Sequence, residues 1–184
     1  APIQRLVDRV AAVFVPIAEE AGLMPALGAF VLERAFEEAK RWPELEVSIN
    51  LSPVQFRQGT LLKDVLGALQ AAGLSGRRLE IEITESVMMT DTGHALALLR
   101  ELRDRGVQVA MDDFGTGYSS LSLLRAFPFD RIKIDRSFVA DIGRGGAALS
   151  IVRAVSSLGR SLGMSTTVEG VETPEQLHGA WQEG

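Results

Sequence analysis

The chain has 184 residues, of which 46% are hydrophobic and 23% charged, enough to bury the core of one globular domain. Zero cysteines exclude disulfide bonds and thiolate metal sites, and a net charge of −5 argues against a broad surface for a DNA or RNA polymer. No apolar run approaches the roughly 18 residues that a membrane helix needs, and the N-terminus does not resemble a signal peptide. We therefore expect a cytoplasmic domain without membrane contact.

Helical and extended segments alternate along the chain. Apolar residues at helical spacing predict the helices Phe30–Trp42, Leu61–Ala72, Ala95–Arg105, Leu121–Phe127, Ala147–Leu162 and Pro174–Trp181. Between them lie five short apolar segments, Val47–Asn50, Leu79–Glu82, Val107–Asp113, Arg131–Lys133 and Thr166–Glu169. Strands that alternate with helices predict parallel pairing, and no linker interrupts the pattern. We expect one domain over residues 1–184, forming part of a longer multidomain protein.

Each of the five predicted strands ends in an acid, an amide or a lysine. The residues concerned are Asn50, Glu82, the pair Asp112 and Asp113, Lys133, and Glu169. A charged group on a buried strand must be paired or bound to a metal, because its desolvation is otherwise too costly. The repetition therefore predicts one active site, and we expect a metal site that handles a phosphate ester.

The alternation of side chains along a strand separates an apolar face from a polar one. Ile49 opposes Asn50 in the first strand, and Ile132 opposes Lys133 in the fourth. In a barrel the apolar face lies under the outer helices, and the chemistry stands at the carboxyl ends of the strands. An open doubly wound sheet would instead cluster its ligands at one switch point, with fewer strands contributing. Five contributing strands favour a TIM-type (β/α)8 barrel.

Five motifs follow one another at these strand ends. They are Asn50-Leu-Ser52, Glu82-Ile-Thr-Glu85-Ser86, Asp112-Asp-Phe-Gly-Thr-Gly-Tyr-Ser-Ser120, Lys133-Ile-Asp135 and Glu169-Gly-Val-Glu172-Thr173. In this order they resemble the EAL family of cyclic di-GMP phosphodiesterases, whose first helix is similar to Phe14–Gly22. The resemblance spans nearly the whole chain from Phe14 onward, and the nine-residue Asp112 motif is highly specific. It implies a modified (β/α)8 barrel that hydrolyses cyclic di-GMP to linear pGpG.

The resemblance also implies a role for each matching strand-end residue. Five residues would bind two divalent cations, Mg²⁺ or Mn²⁺: Asn50, Glu82, Asp112, Asp113 and Glu169. Asp112 would bridge the two ions, and Lys133 would hold or deprotonate the attacking water, so that Lys133, Glu169 and Asp113 carry the catalysis. All-oxygen ligands suit hard cations, and Ca²⁺ is expected to bind the same oxygens but to inhibit.

Four further residues match the family's pattern around the loop after Asp113. Glu85 and Glu172 would fix this loop without touching substrate, while Gly115 and Gly117 would let it turn tightly. In the family the loop lies near the dimer contact. We therefore expect a homodimer in which dimerisation is coupled to metal binding.

Each assignment has a simpler alternative. Asp112 and Asp113 could cap the following helix, and Lys133 could extend along its strand to solvent. The other residues could lie in exposed strands, turns or loops: Asn50, Glu82, Glu169 and Glu172. Their joint occurrence at consecutive strand ends argues against all of these alternatives together.

Two pieces of the family pattern are missing from the sequence. One is the strand with the Glu-Ala-Leu motif, whose glutamate binds metal, and the other is the final strand. The first should lie between Ala1-Pro-Ile3, which is similar to the family's opening strand, and Phe14, but only about ten residues separate them. We expect an incomplete barrel, since a complete one takes about 250 residues. We hypothesise that a stretch is lost near Arg9 to Val13 and that the C-terminus is truncated, which an intact mass matching 184 residues would refute.

Two other functions compete with the phosphodiesterase. A chain that lacks one metal ligand could be a non-catalytic cyclic di-GMP receptor or a dimerisation module. Another metal-dependent barrel, acting on a carboxylate substrate, could use Lys133 as a base in carbon acid chemistry. This last alternative explains the acids but not the Asp112 motif.

Overall fold

Five parallel strands and their connecting helices make up residues 13–115, 121–140 and 146–183, which a computed structural model describes. The strands are β1 (Val47–Asn50), β2 (Leu79–Ile83), β3 (Gln108–Phe114), β4 (Arg131–Ile134) and β5 (Ser165–Val168). They pair in the order β1-β2-β3-β4-β5, and every pairing is parallel. Within the described ranges β5 does not pair with β1, so the predicted α/β architecture is confirmed as a barrel that is not closed.

Helices precede, connect and follow the strands. They are α1 (residues 13–20), α2 (Met24–Ala39), α3 (Pro53–Arg57), α4 (Leu61–Ala72), α5 (Glu85–Thr90), α6 (Thr92–Asp104), α7 (Leu121–Ala126), α8 (Arg136–Ala140), α9 (Gly146–Leu162) and α10 (Pro174–Glu183), with a 3-10 turn at Gly76–Arg78. None of the helices in the described ranges is long and apolar enough to span a bilayer.

The strands agree with the sequence-based prediction to within one residue at each end, whereas the helices differ more. Helix α2 begins at Met24 and not at Phe30, because Pro25 is tolerated in the first turn, where a backbone N–H is not needed. Three short helices were not predicted, α3, α5 and α8, since five or six residues are too few to show helical periodicity. The expected strand Ala1–Ile3 and the stretch near Arg9 lie outside the described residues.

The hydrophobic core lies between the helices and the apolar face of the sheet. Ile81, Ile132 and Ile134 of the central strands are fully buried, as are Leu99 of α6 and Val152 of α9. The opposite face carries buried charged side chains, Glu80, Glu82, Asp112 and Lys133. The separation into an apolar and a polar face, which strand alternation predicts, therefore holds in the central strands.

Candidate active site

Lys133 stands at the centre of a cluster of three carboxylates. Its Nζ lies 2.6 Å from Oε2 of Glu82 and 3.1 Å from Oδ1 of Asp112. The third acid is Glu169, whose Oε1 is 2.6 Å from the same nitrogen. The side chains of Lys133, Glu82 and Asp112 are only 10%, 7% and 12% exposed, which makes this a buried ionic network. Four of the six strand-end residues that the sequence predicts to form one site therefore meet at one point.

Parallel pairing explains how residues so distant in sequence meet. Glu82, Asp112 and Lys133 lie toward the carboxyl ends of β2, β3 and β4, and such ends share one edge of a parallel sheet. Glu169 follows β5, and its N–H donates to the carbonyl of Ile134 at 3.0 Å, which continues the strand pairing by one residue. The backbone thus delivers the fourth side chain to the same edge.

A β-bulge makes room for two consecutive acids in β3. The register runs from the pair Met111 and Ile132 to the pair Phe114 and Ile134, so two residues of β3, Asp112 and Asp113, stand opposite one residue of β4. Asp113 has a φ of 54° and is the one non-glycine residue with positive φ in the described part of the chain. Strained backbone of this kind and bulges both occur preferentially at functional sites. Regular alternation would have sent the two acids to opposite faces.

The charges in the cluster shift each other's protonation. Burial alone would lower the pKa of Lys133, but hydrogen bonds to Glu169 and Glu82 outweigh it and raise that pKa above its ordinary value. Burial raises the pKa of Glu82, and the negative charges of Asp112 and Glu169 add to this, while Lys133 opposes it. Three acids share one ammonium group, so the cluster carries excess negative charge.

The pKa values of Asp113 and Asp135 shift in opposite directions. The pKa of Asp113 is raised by loss of solvation and by the neighbouring charges of Asp112, Asp135 and Glu169. For Asp135, burial works against ionisation, but hydrogen bonds from Ser137 lower the pKa overall. One of these bonds runs from the Ser137 N–H to Oδ1 of Asp135 at 2.9 Å. Asp113 is therefore the more readily protonated of the two.

The other predicted site residues lie around the cluster. Asn50 is the last residue of β1 and is paired with Glu82 of β2 in the strand register. Its side chain is exposed at the outer edge of the described sheet. Glu85 is half-buried at the start of α5, and Glu172 is exposed, with its N–H donating to Oε1 of Gln176 at 2.8 Å. Gly115 has a φ of 96° immediately after β3.

Gly117 lies outside the described residues. So does most of the loop that Glu85 and Glu172 are predicted to fix, and their role remains a prediction.

The sequence interpretation overlooked a second ion pair on the same face of the sheet. Nε of Arg131 donates to Oε2 of Glu80 at 2.7 Å, and Glu80 is 4% exposed. Strand alternation was a sufficient signal for it, since Glu80 precedes Glu82 by two residues and Arg131 precedes Lys133 by two. The polar face therefore holds two layers of charge, one above the other.

The chemistry of the donor set fits a hard divalent cation. Within the described ranges no group of three acidic or histidine side chains is arranged so that it could hold a metal ion directly. The ammonium group of Lys133 lies between the acids instead. The three carboxylates nevertheless converge on one positive charge, and carboxylate oxygens are the ligands that Mg²⁺ and Mn²⁺ prefer. An ion would bind here only if Lys133 moved away from at least one acid.

A groove of about 350 Å³ opens beside Asn50. Thr84 and Ser52 line it, together with apolar side chains of α2 such as Leu27 and Val31. The groove thus lies at the β1 edge of the sheet, and its lining is mainly apolar and does not include the acids of the Lys133 cluster.

Comparison with known proteins identifies relatives over nearly the whole chain. The profile of the EAL domain family matches residues 4–184. An uncharacterized protein of Sinorhizobium fredii, y4lL, is 52% identical over 172 residues, which are 93% of this chain and 21% of that protein. MucR of Pseudomonas aeruginosa, a bifunctional diguanylate cyclase/cyclic di-GMP phosphodiesterase, is 38% identical over 168 residues, or 89% of this chain and 24% of MucR.

Solved structures share the fold. The structure of the PaMucR phosphodiesterase in complex with c-di-GMP has a TM-score of 0.89 at 36% identity and covers 95% of this chain and 72% of its own. BlrP1 of Klebsiella pneumoniae, in a manganese/cy-diGMP complex, has a TM-score of 0.81 at 32% identity, and the match covers 97% of this chain and 45% of the BlrP1 chain. The chain spans about a fifth to a quarter of the length of the curated relatives it matches. The family profile and the shared fold together show that the chain belongs to the EAL domain family.

Proposed function

We propose that this domain hydrolyses cyclic di-GMP to linear pGpG with the help of two divalent cations, Mg²⁺ or Mn²⁺. The observation that carries the proposal is the convergence of Glu82, Asp112 and Glu169 on one cationic point at the carboxyl ends of the strands. Support comes from the relatives, since the PaMucR structure contains c-di-GMP and a BlrP1 structure contains manganese and cy-diGMP.

The residues that would hold the ions are those at the strand ends, Asn50, Glu82, Asp112, Asp113 and Glu169. Two ions bound there would lower the pKa of an attacking water and offset the charge that develops on the phosphate. The bulge in β3 supports this assignment, because it lets Asp112 and Asp113 serve one site from adjacent positions. Asn50 would supply a neutral amide oxygen from the end of β1.

Lys133 would act as a hydrogen-bond donor. While it is bonded to Glu169 and Glu82, its pKa is raised and the amine is protonated, and a protonated Nζ can donate to the attacking water and to a phosphate oxygen. When the acids turn toward the ions, the ammonium group would be released from Glu82 and Glu169 to make these contacts. Because those bonds are what raise its pKa, their release lowers it again, and holding or deprotonating the water are both kept as predicted roles of Lys133.

The test is turnover of cyclic di-GMP by the full chain in Mg²⁺ or Mn²⁺, with linear pGpG followed by chromatography. Asp113→Asn and Lys133→Ala are each expected to lower kcat on the order of a hundredfold or more. Asp104→Asn at the end of α6 and Lys63→Ala on α4 change exposed residues of the same types and serve as matched controls. Ca²⁺ in place of Mg²⁺ is expected to bind and inhibit.

A non-catalytic cyclic di-GMP receptor is the second candidate. One observation favours it: Asn50, a predicted metal ligand, is exposed at the edge of the described sheet and is not part of the Lys133 ion-pair network. Tight binding of cyclic di-GMP without pGpG formation would support the receptor and refute the hydrolase.

The size of the relatives bears on the setting of this domain. Since the chain matches about a fifth to a quarter of each of them, we infer that it works within a longer multidomain signalling protein. The expected homodimer is part of the same proposal, and analytical ultracentrifugation of the chain with and without cyclic di-GMP tests it.

A further inference from the structure

A layer of polar side chains lies two residues below the Lys133 cluster on the same face of the sheet. Its centre is the ion pair between Arg131 and Glu80, with Nε to Oε2 at 2.7 Å. Oγ of Ser48 donates to Oε1 of Glu80 at 3.1 Å, and Nη1 of Arg131 donates to Oγ1 of Thr167 at 3.2 Å. These bonds join β1, β2, β4 and β5 into one transverse network.

The ion pair spans a strand that contributes no charge to it. β3 lies between β2 and β4, and its residue in register with Arg131 is Ala110, which is fully buried. Because Ala110 presents only a methyl group, the guanidinium of Arg131 can reach across β3 to Glu80. Lys133 and Glu82 bridge the same two strands one layer higher.

The two layers are close enough to compete for cations. Residues two apart on one strand face are separated by about 6.8 Å, and a lysine ammonium on its flexible four-carbon stem can swing over a comparable distance. A buried carboxylate without a partner is strongly disfavoured, so Glu80 would attract Lys133 if Arg131 did not neutralise it. Glu80 is 4% exposed and has no access to bulk water as an alternative.

We propose that Arg131 is a positioning residue that holds the Glu80 carboxylate and thereby reserves Lys133 for Glu82, Asp112 and Glu169. The consequence for catalysis rests on the proposed phosphodiesterase function, but the position of the ammonium group does not. Arg131 acts through Glu80 and is not itself expected to touch substrate.

The lysine content makes the position of Lys133 directly observable. The sequence contains three lysines, Lys40, Lys63 and Lys133, and the first two are exposed. Exposed ammonium protons exchange rapidly with water, so in a ¹⁵N-lysine-labelled sample the protected Nζ signal is that of Lys133. Lys133→Met removes this signal and confirms its assignment.

Arg131→Gln is expected to shift or broaden the Lys133 ammonium signal and to lower kcat on the order of tenfold, with KM for cyclic di-GMP changed less than about twofold. Adding Glu80→Gln to this variant removes the competing carboxylate, so both the signal and kcat should return toward the wild type. Arg103→Gln is the matched control, because it breaks a different ion pair, to Asp130 at 2.6 Å, and should lower stability while leaving the signal and kcat unchanged.

A folded Arg131→Gln protein with a wild-type Lys133 signal would overturn the proposal. Should that variant fail to fold in plain buffer, its spectrum is recorded in a stabilising osmolyte such as TMAO, which favours the compact state without restoring the Arg131–Glu80 ion pair. A shift of the Lys133 signal then supports the proposal, and an unchanged signal overturns it. If the wild type shows no turnover, the phosphodiesterase proposal fails, while the ammonium signal still decides the role of Arg131.

Discussion

Lys133 pairs with acids from three neighbouring segments of the sheet, of which Glu82 and Asp112 are buried, while remaining 10% exposed itself. Its ammonium group therefore stabilises the fold in the absence of any metal ion. In a buried network of this kind, removing one partner is much more costly than removing the whole network, because an unpaired charge stays behind. The same side chain is thus predicted to matter for stability and for chemistry, and the two effects can be separated by pH.

Lys133→Met is expected to destabilise the protein by about 3 to 5 kcal/mol at about pH 8, because it leaves the buried Glu82 carboxylate without its ammonium partner. The pKa of Glu82 is already raised in the folded state, and without Lys133 it rises further. The folded variant then binds more protons than the unfolded chain, so its stability increases as the pH falls. Urea unfolding at about pH 8 and about pH 5 should show the deficit shrinking at the lower pH.

The wild type should show a smaller acid-side recovery, because Lys133 opposes the rise in the pKa of Glu82. Its own Lys133 contribution is present below the ordinary pKa of 10.5 and is lost only as the pH rises through the higher folded value. Lys63→Met on the surface of α4 is the control. Equal deficits for Lys133→Met at the two pH values would contradict the ionic explanation.

Gly170 forces the chain to turn directly after Glu169. Its φ is 70°, and a Cβ there would lie 2.4 Å from Cβ of Arg136, so both conformation and space exclude a side chain. Gly163 has a φ of 75° with nothing within 4 Å of the same position. Gly163→Ala should therefore cost about 1 kcal/mol from the backbone alone.

Gly170→Ala should cost more than this, about 2 to 4 kcal/mol, because the clash adds to the backbone strain. It should also weaken turnover, since Glu169 moves with its neighbour. Thermal and urea unfolding of the two variants side by side provide the measurement, and equal losses of stability would show that the contact with Arg136 is relieved at no cost.

At the scale of the single residue, strand alternation accounts for what the sequence could predict. Glu82, Lys133 and Glu169 lie on regular strands or directly after one, and their shared face follows from a period of two. Asp112 and Asp113 are placed in one predicted site because both stand at the end of the same strand, and the family resemblance then implies that both bind metal. Alternation alone places them on opposite faces, and only the bulge reconciles the two. A bulge depends on the neighbouring strand and leaves no periodic signal in the sequence.

Among the secondary-structure elements, the strands were predictable and the shortest helices were not. Helix α3 has five residues and is defined by its N-terminal cap. Oγ of Ser52 accepts from the N–H of Val54 at 3.0 Å, and Oε1 of Gln55 accepts from the N–H of Ser52 at 3.1 Å. The hydroxyl of Ser52 also donates to Glu19 of α1. The cap is local, and Ser52-Pro-Val-Gln55 is a sequence signal for it, whereas the contact with Glu19 joins residues far apart in sequence.

Ser52→Ala should cost about 1 kcal/mol, since it removes the cap of α3 and the bond to Glu19 together. Ser75→Ala is the matched control, because the Ser75 hydroxyl caps the 3-10 turn through a single exposed bond of 3.3 Å and should cost less. Denaturant midpoints at constant slope give the comparison. A larger loss for Ser75→Ala would refute the assigned importance of the Ser52 cap.

For the whole molecule, the predicted α/β barrel class is confirmed, and the family resemblance with it. The expected incompleteness agrees with the open sheet of the described residues. The metal site, the dimer and the roles of individual residues remain predictions, because they depend on metal ions, a substrate or a second copy of the chain.

A divalent cation that binds only the folded protein should raise its stability. At a concentration one hundred times the dissociation constant the gain is about 2.7 kcal/mol. We expect millimolar MnCl₂ to raise Tm, EDTA to reverse the effect, and Asp112→Asn to abolish it, while Asp104→Asn on α6 responds like the wild type. An unchanged Tm across the titration would count against a metal site in this chain.

Among the described strands, the order of the sheet follows the order of the chain, so each of the five hydrogen-bonds to strands that come just before or just after it in the sequence. Contacts of this kind close modest loops, and the central strands can form before the outer ones are recruited. The outer strands can likewise detach without disrupting the centre. Cooperative unfolding should therefore be strongest around β2 and β3. Detachment of the strands at one edge of the sheet would expose the acids on that side of the cluster, while those on the other side stay folded.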